Sequence, residues 1–361
     1  MQQPVLNSQA QGAVNETAGV FHAQLGGEAP GCCVKEREEA EKPLHRFFKD
    51  LETRILQPGA NKQIALKVDV DTYRGTRVGV PRLVEVLQRH NAQATFFFTL
   101  GPDHMGRAIK RIFRPGYLKK VSRMSVVEHY GIKTLLYGTL LPAPDIGKRC
   151  ADIMRGVRDA GFEVGIHCYD HIRWQDHVAD KDAKWVEREL QRAVNRYTEI
   201  FGEAPHAHAA AGWQMNRHAL RLMQRMGFDY SSDTRGTHPF IPTWQAEIVA
   251  CPQLPTTLPT LDELINREGI MLDNIAEHVL RLTASAPATG HVYTLHAELE
   301  GGKWMPVLEQ LLQGWQAQGY ELVSMQQYLQ GLEAVSLPRH EVAMREIEGR
   351  IGKLAVQGEK S

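Results

Sequence analysis

Residues 63–72 read QIALKVDVDT, a largely apolar run interrupted by Lys67 and closed by two carboxylates, Asp69 and Asp71. Side chains two apart on a strand share a face, so both acids point to one side at its end. Burying two like charges is unfavourable unless a cation or a partner neutralises one of them. By itself the pattern suits a strand ending in solvent as well as it suits a site. The same texture recurs outward from it. Short apolar runs at 64–70, 94–99, 163–167, 230–232, 247–251, 291–296 and 321–324 alternate with helical patterns at 81–90, 146–160, 184–200, 216–226, 272–284 and 305–318. This rhythm predicts an α/β fold built on a parallel sheet. About seven such units, without a glycine-rich nucleotide turn, predict a distorted (β/α) barrel of about seven strands rather than an open doubly wound sheet. Chemistry in such barrels sits at the C-terminal strand ends.

Two more of these strand ends carry ligand-type residues. Residues 165–171, GIHCYDH, set His167 and His171 four apart, the separation at which imidazoles on one helical turn hold a single ion. Cys168 stands where a zinc peptidase motif would have glutamate, which argues against that class. Residues 291–298, HVYTLHAE, bring His296 to the end of an alternating strand. Each signal is weak alone, since such histidines are more often structural. Three independent strand ends meeting at one barrel mouth point to catalysis.

Composition narrows the classes. The 361 residues are 43% apolar, enough for a sizeable core, and 42 basic residues balance 42 acidic ones, so no global field favours a nucleic-acid partner. Five cysteines without CxxC spacing fit reduced thiols and a cytoplasmic protein. No apolar stretch approaches a membrane span and no signal-like core follows the start. Residues 1–62, rich in Gln, Gly, Ala and Glu, predict a poorly ordered extension with one helix near 42–56. The catalytic domain is expected at 63–332.

Within it, residues 106–144 form an insertion in which Arg107, Lys110, Arg111, Arg114, Lys119, Lys120 and Arg123 interleave with apolar side chains. No acidic residue occurs from His104 to Val127, a composition that suits an anionic membrane surface or a lipid phosphate. At the other end Met344, Ile347, Ile351 and Leu354 recur at helical spacing, so residues 333–361 are expected to form a helical tail.

An aspartate pair on the first strand, an HxxxH pair and a late Leu-His strand end resemble the polysaccharide-deacetylase (NodB-homology) family. Longer phrases, residues 68–77, 101–107, 232–236, 254–260 and 293–298, resemble its deformylase subgroup acting on a formamido-arabinose carried by polyprenyl phosphate. The resemblance covers roughly residues 63–330 and implies the NodB-homology fold. It implies that Asp71, His167 and His171 hold one divalent ion, of zinc, manganese, cobalt or iron type, and that Asp69 and His296 are base and acid. Asp233 would orient His296, unless Glu298 does so. Trp213, His208, Arg74 and Glu298 are expected to contact substrate. A peripheral location on the inner face of the cytoplasmic membrane follows, with a role in lipid A modification and resistance to cationic peptides.

Two departures stand out. The family's aspartates are usually adjacent, whereas Val70 separates these, and its Arg-x-Pro motif is replaced by residues 205–213, PHAHAAAGW. The arginine that orients the family's catalytic carboxylate is therefore missing, and Arg235 and His208 are the expected replacements. The alternatives are an N-deacetylase acting on an acetamido sugar of a cell-wall glycan or glycolipid, and a non-catalytic carbohydrate- or lipid-binding barrel. Loss of a ligand or of His296 would favour the latter; neither is lost.

Overall fold

The computed structural model describes residues 61–108, 131–265, 267–332 and 337–361. The expected extension at 1–62 therefore lies almost wholly outside the described residues, and so does the part of the basic insertion at 109–130. The described strands are, in chain order, β1 (Gln63–Val70), β2 (Thr95–Thr99), β3 (Glu163–Cys168), β4 (Ala207–His208), β5 (Tyr230–Ser231), β6 (Ile241–Trp244), β7 (Glu247–Ile248), β8 (His291–His296), β9 (Glu321–Val323), β10 (Arg339–Glu346) and β11 (Lys353–Lys360).

Seven of them form one parallel, curled sheet in the order β5-β4-β3-β2-β1-β8, with β9 pairing the first residues of β1. Strand β1 is its centre: β8 accompanies it from Ile64 to Asp69, and β2 pairs its second half. Both faces of a parallel sheet are covered, which is why β1 and β2 read as near-continuous apolar runs and are buried almost throughout. The helices between strands bury one face each. Val80–Arg89 turns Val80, Leu83, Val86 and Leu87 inward, with Pro81 in its first turn. Ala183–Phe201 starts where Asp182 accepts from Trp185 N and stops at Gly202, whose φ of 76° suits a glycine cap.

Between β5 and β8 the ring is completed by residues 253–258 rather than by a strand. Leu254 N donates to Ser231 O at 2.8 Å, and Thr257 N donates to Val292 O at 3.0 Å. Pro255 has no N–H to continue a ladder, so the segment stays irregular. It is this closure that makes the architecture a distorted barrel.

A second sheet, β11-β10-β6-β7, corrects two expectations. Residues 247–251 do not contribute a barrel strand; only Glu247–Ile248 is extended, and it pairs antiparallel with β6. The tail is not helical: β10 and β11 form an antiparallel hairpin. Its turn contains Gly349 and Gly352 at φ 87° and 82°, which interrupt any helix, and the apolar residues sit on extended strands, with Val342 and Leu354–Val356 buried. The hairpin is tied to the barrel where Arg235 N donates to Ala355 O at 2.9 Å and Gln357 N donates to Arg235 O at 2.7 Å.

Candidate active site

Strand ends build the first half of the site. Asp71 follows β1, His167 is the penultimate residue of β3, and His171 opens the helix His171–His177. The two histidines therefore do not share a helical face. They meet across a strand-to-helix turn in which Asp170 is extended and caps the helix by accepting from Arg173 N, and their ring centroids are 5.3 Å apart. His104 Nδ1 lies 2.6 Å from Asp170 Oδ2 and pins that turn. Asp71 Oδ1 stands 3.2 Å from His167 Nε2 and 3.4 Å from His171 Nε2. The ligand atoms of the three buried residues lie within 4.8 Å of one another, and Asp71 Oδ1 has no hydrogen bond. Two imidazoles and a carboxylate converging in this way fit a divalent ion. Burial raises the Asp71 carboxyl, but the combined pull of His171 and His167 leaves it well below the usual carboxylate range.

Asp69 points to the same side, one pleat earlier. Its Oδ2 lies 3.3 Å from Lys67 Nζ and its Oδ1 3.8 Å from His167 Nδ1. Lys67 is fully buried, donates to Ser232 O at 3.0 Å, and sits 5.1 Å above the Trp213 ring. Burial lowers its ammonium pKa against the opposing pull of Asp69. The expectation that Arg235 or His208 orients Asp69 is thus corrected: the cation beside it comes from its own strand. Arg235 is engaged with Glu263, donates to Leu258 O at 2.9 Å and backs the Trp213 ring. His208 is buried against Asp233 at 2.8 Å.

The second half gathers around His296, level with Asp69 on the neighbouring strand. Asp233 does not face it; that carboxylate is spent on His208 and on Ala210 N at 2.8 Å. Glu298 does not face it either. Its Oε1 accepts from Asp71 N, Thr72 N and Thr72 Oγ1, so it holds the loop carrying Asp71, and burial together with Asp71 pushes its pKa well above the usual range. The carboxylate near His296 Nδ1 is Asp262, at 3.9 Å. Glu300 Oε2 accepts from His296 N at 2.9 Å, and burial pushes its carboxyl up to about 8.

Asp69, Asp71, His167, His171, Asp262 and His296 line a cavity of about 140 Å³ together with Trp213 and Arg350. Trp213 reaches it through two successive left-handed residues, Gly212 at φ 60° and Trp213 itself at φ 52°. Arg74 lies apart, on a separate shallow cavity with Arg77 and Lys133.

Lys67, Asp262 and Arg350 were not assigned by sequence reasoning. A signal for Lys67 existed, because a lysine two residues before an acid on a buried strand shares its face. Asp262 lies two residues beyond the recognised phrase at 254–260, whereas Arg350 lay in the segment read as a helix.

Residues 57–231 match the family described as polysaccharide deacetylase. The chain is 40% identical over 295 residues, 82% of its length and 94% of the relative's, to the protein of Shewanella sediminis named probable 4-deoxy-4-formamido-L-arabinose-phosphoundecaprenol deformylase ArnD. A protein of the same name from Wigglesworthia glossinidia brevipalpis is 31% identical, covering 78% of this chain and 98% of that one. Among solved structures, a polysaccharide deacetylase from Mycobacterium smegmatis shares the fold with a TM-score of 0.54 at 19% identity, covering 80% of this chain and 96% of the other. On sequence identity, fold and the converging acids and histidines alike, the chain belongs to the polysaccharide deacetylase family of metal-dependent amide hydrolases.

Proposed function

We propose that this chain hydrolyses the N-formyl amide of 4-deoxy-4-formamido-L-arabinose-phosphoundecaprenol, releasing formate and the aminoarabinose lipid. The observation that carries this reading is the convergence of Asp69, Asp71, His167, His171 and His296 on one cavity, in a chain 40% identical to a protein named for that activity. Asp71, His167 and His171 would hold one divalent ion, and their donor types suit zinc, manganese, cobalt and iron alike. Such an ion, when bound, lowers the pKa of a neighbouring water and polarises the amide carbonyl. Asp69, oriented by Lys67, takes a proton as the water oxygen attacks the formyl carbon. His296 gives a proton to the nitrogen as the C–N bond breaks, because an amide nitrogen leaves poorly until protonated. Trp213 offers the sugar a flat apolar wall.

We also infer a peripheral position on the inner face of the cytoplasmic membrane. The described flanks of the 106–144 insertion support it: Ile132, Leu140 and Leu141 are exposed, as is Val78, and Val78 and Ile132 line a cavity of about 550 Å³ with Arg74, Arg77 and Lys133. Apolar side chains among cations suit an anionic lipid surface. No described helix is long and apolar enough to cross a membrane.

Mass spectrometry after incubating the metal-loaded chain with formamido- and acetamido-arabinose phosphoundecaprenol tests the activity. Conversion of the formamido lipid alone is expected. Faster loss of acetyl would transfer the reading to a deacetylase, and no conversion of either would refute it.

A further inference from the structure

The turn of the C-terminal hairpin delivers a guanidinium to the active-site wall. Arg350 holds Asp262 with both arms, Nη1 to Oδ2 at 2.8 Å and Nη2 to Oδ1 at 3.2 Å, while Nε donates to Glu263 Oε1 at 2.9 Å and Nη2 also to Thr260 Oγ1 at 3.1 Å. Its Cζ lies over the Trp213 ring, 4.7 Å from the ring centroid. A two-armed carboxylate contact fixes orientation as well as distance, which a single point charge does not. The carboxylate so fixed is the one 3.9 Å from His296 Nδ1, a buried nitrogen without a hydrogen bond. The turn is built for this approach. A Cβ on Gly349 would lie 2.4 Å from Glu263 O, so only glycine lets the hairpin sit against the Asp262–Glu263 backbone, and its φ of 87° is the left-handed region.

We propose that Arg350 is a positioning residue for the reaction, acting through Asp262 on His296, and that the C-terminal hairpin is therefore part of the active site rather than an appended sheet. This rests on the assignment of His296 as the acid in amide hydrolysis. Arg350 fixes Asp262 on the side where His296 Nδ1 lies, which leaves the opposite nitrogen to face the leaving group. It also shields one face of Trp213 from water.

The test compares turnover of the formamido-arabinose lipid by the wild-type chain, Arg350→Met, Arg350→Lys, Asp262→Asn and the Arg350→Met, Asp262→Asn double variant, with metal content measured for each. Arg350→Met should lose at least tenfold in kcat with KM changed less than about threefold and metal retained, and Arg350→Lys should recover part of the loss. The double variant should be no slower than Asp262→Asn, because the two residues act in series. If Arg350→Met does not fold, Arg350→Lys, which keeps the charge and loses the fork, takes its place in the same cycle. A rise in KM at constant kcat, multiplicative losses in the double variant, or unaltered turnover overturns the proposal. An inactive wild-type chain overturns the functional reading and this inference with it, whereas an active wild type matched by Arg350→Met overturns this inference alone.

Discussion

The two halves of the active site are made differently. The proposed ligand half, Asp71, His167 and His171 with Asp69, comes from the ends of β1 and β3, the two strands that flank β2, and the first turn of one helix, each a short local motif. The acid half needs three segments distant in sequence: β8 for His296, the irregular closure and short helix at 253–264 for Asp262, and the hairpin turn for Arg350. Strand ends are rigid because the whole parallel sheet holds them, so ligand geometry is inherited from the fold. The acid half is held by charge and close backbone approach between loops, so it depends on a few side chains. Damage to the first half should therefore abolish function outright, and damage to the second should grade it.

The largest effect is expected from His171→Ala, which removes one of the three proposed ligands: elemental analysis should find the metal depleted and turnover reduced by about 10³-fold or more. Full metal occupancy with normal turnover would remove His171 from the ligand set. Next come Asp69→Asn and His296→Ala, each expected to lose roughly 10²–10⁴-fold in kcat while metal content holds. An empty metal site in Asp69→Asn would move Asp69 into the ligand half. Lys67→Met should slow turnover by about 10–10²-fold, since it frees the base and leaves its charge buried without a partner, and Lys67→Arg should restore much of the rate. Equal losses in both variants would mean that Lys67 serves packing alone.

Smaller effects probe what joins the halves. A Cβ on Gly79 would stand 2.0 Å from Ala297 O, a backbone atom just past His296, so Gly79→Ala should destabilise the chain by about 3 kcal/mol in chemical denaturation. An unchanged midpoint would show that the loop after β8 can yield. Glu300 gives a test read in pH. Its folded pKa, about 8, exceeds the ordinary glutamate value of 4.5, so its contribution to stability is full below pH 4.5, falls as pH rises toward 8 and is level above. Glu300→Gln keeps an acceptor for His296 N and cannot ionise, so the difference in melting temperature between variant and wild type should grow in the variant's favour from pH 5 to pH 8. A constant difference across that range would place the Glu300 pKa elsewhere.

The same contrast governs what was legible in the sequence. Strands β1, β2, β3 and β8 and their terminal acids and histidines could be read because apolar runs and their polar ends are contiguous signals. Strand β4 could not: two residues inside PHAHAAAGW carry no periodicity, and β6 includes Pro242, which reads as a breaker. The hairpin was misread because Met344, Ile347, Ile351 and Leu354 satisfy a helical period by coincidence, while the glycines at 349 and 352 were the contrary signal. The resemblance assigns Asp233 to His296, with Glu298 as the alternative, and the fold turns both to other partners, His208 and the Asp71 loop. Pairings of this kind are long-range and leave no trace in local spacing.

Quantifying formate and free amine together, after metal-loaded wild-type chain and His171→Ala are each given formamido-arabinose phosphoundecaprenol, tests the metal-dependent deformylase reading most directly. Equimolar formate and aminoarabinose lipid from the wild type, with neither from His171→Ala, is the expected result; equal yields from both proteins, or no formate from the wild type, would contradict it.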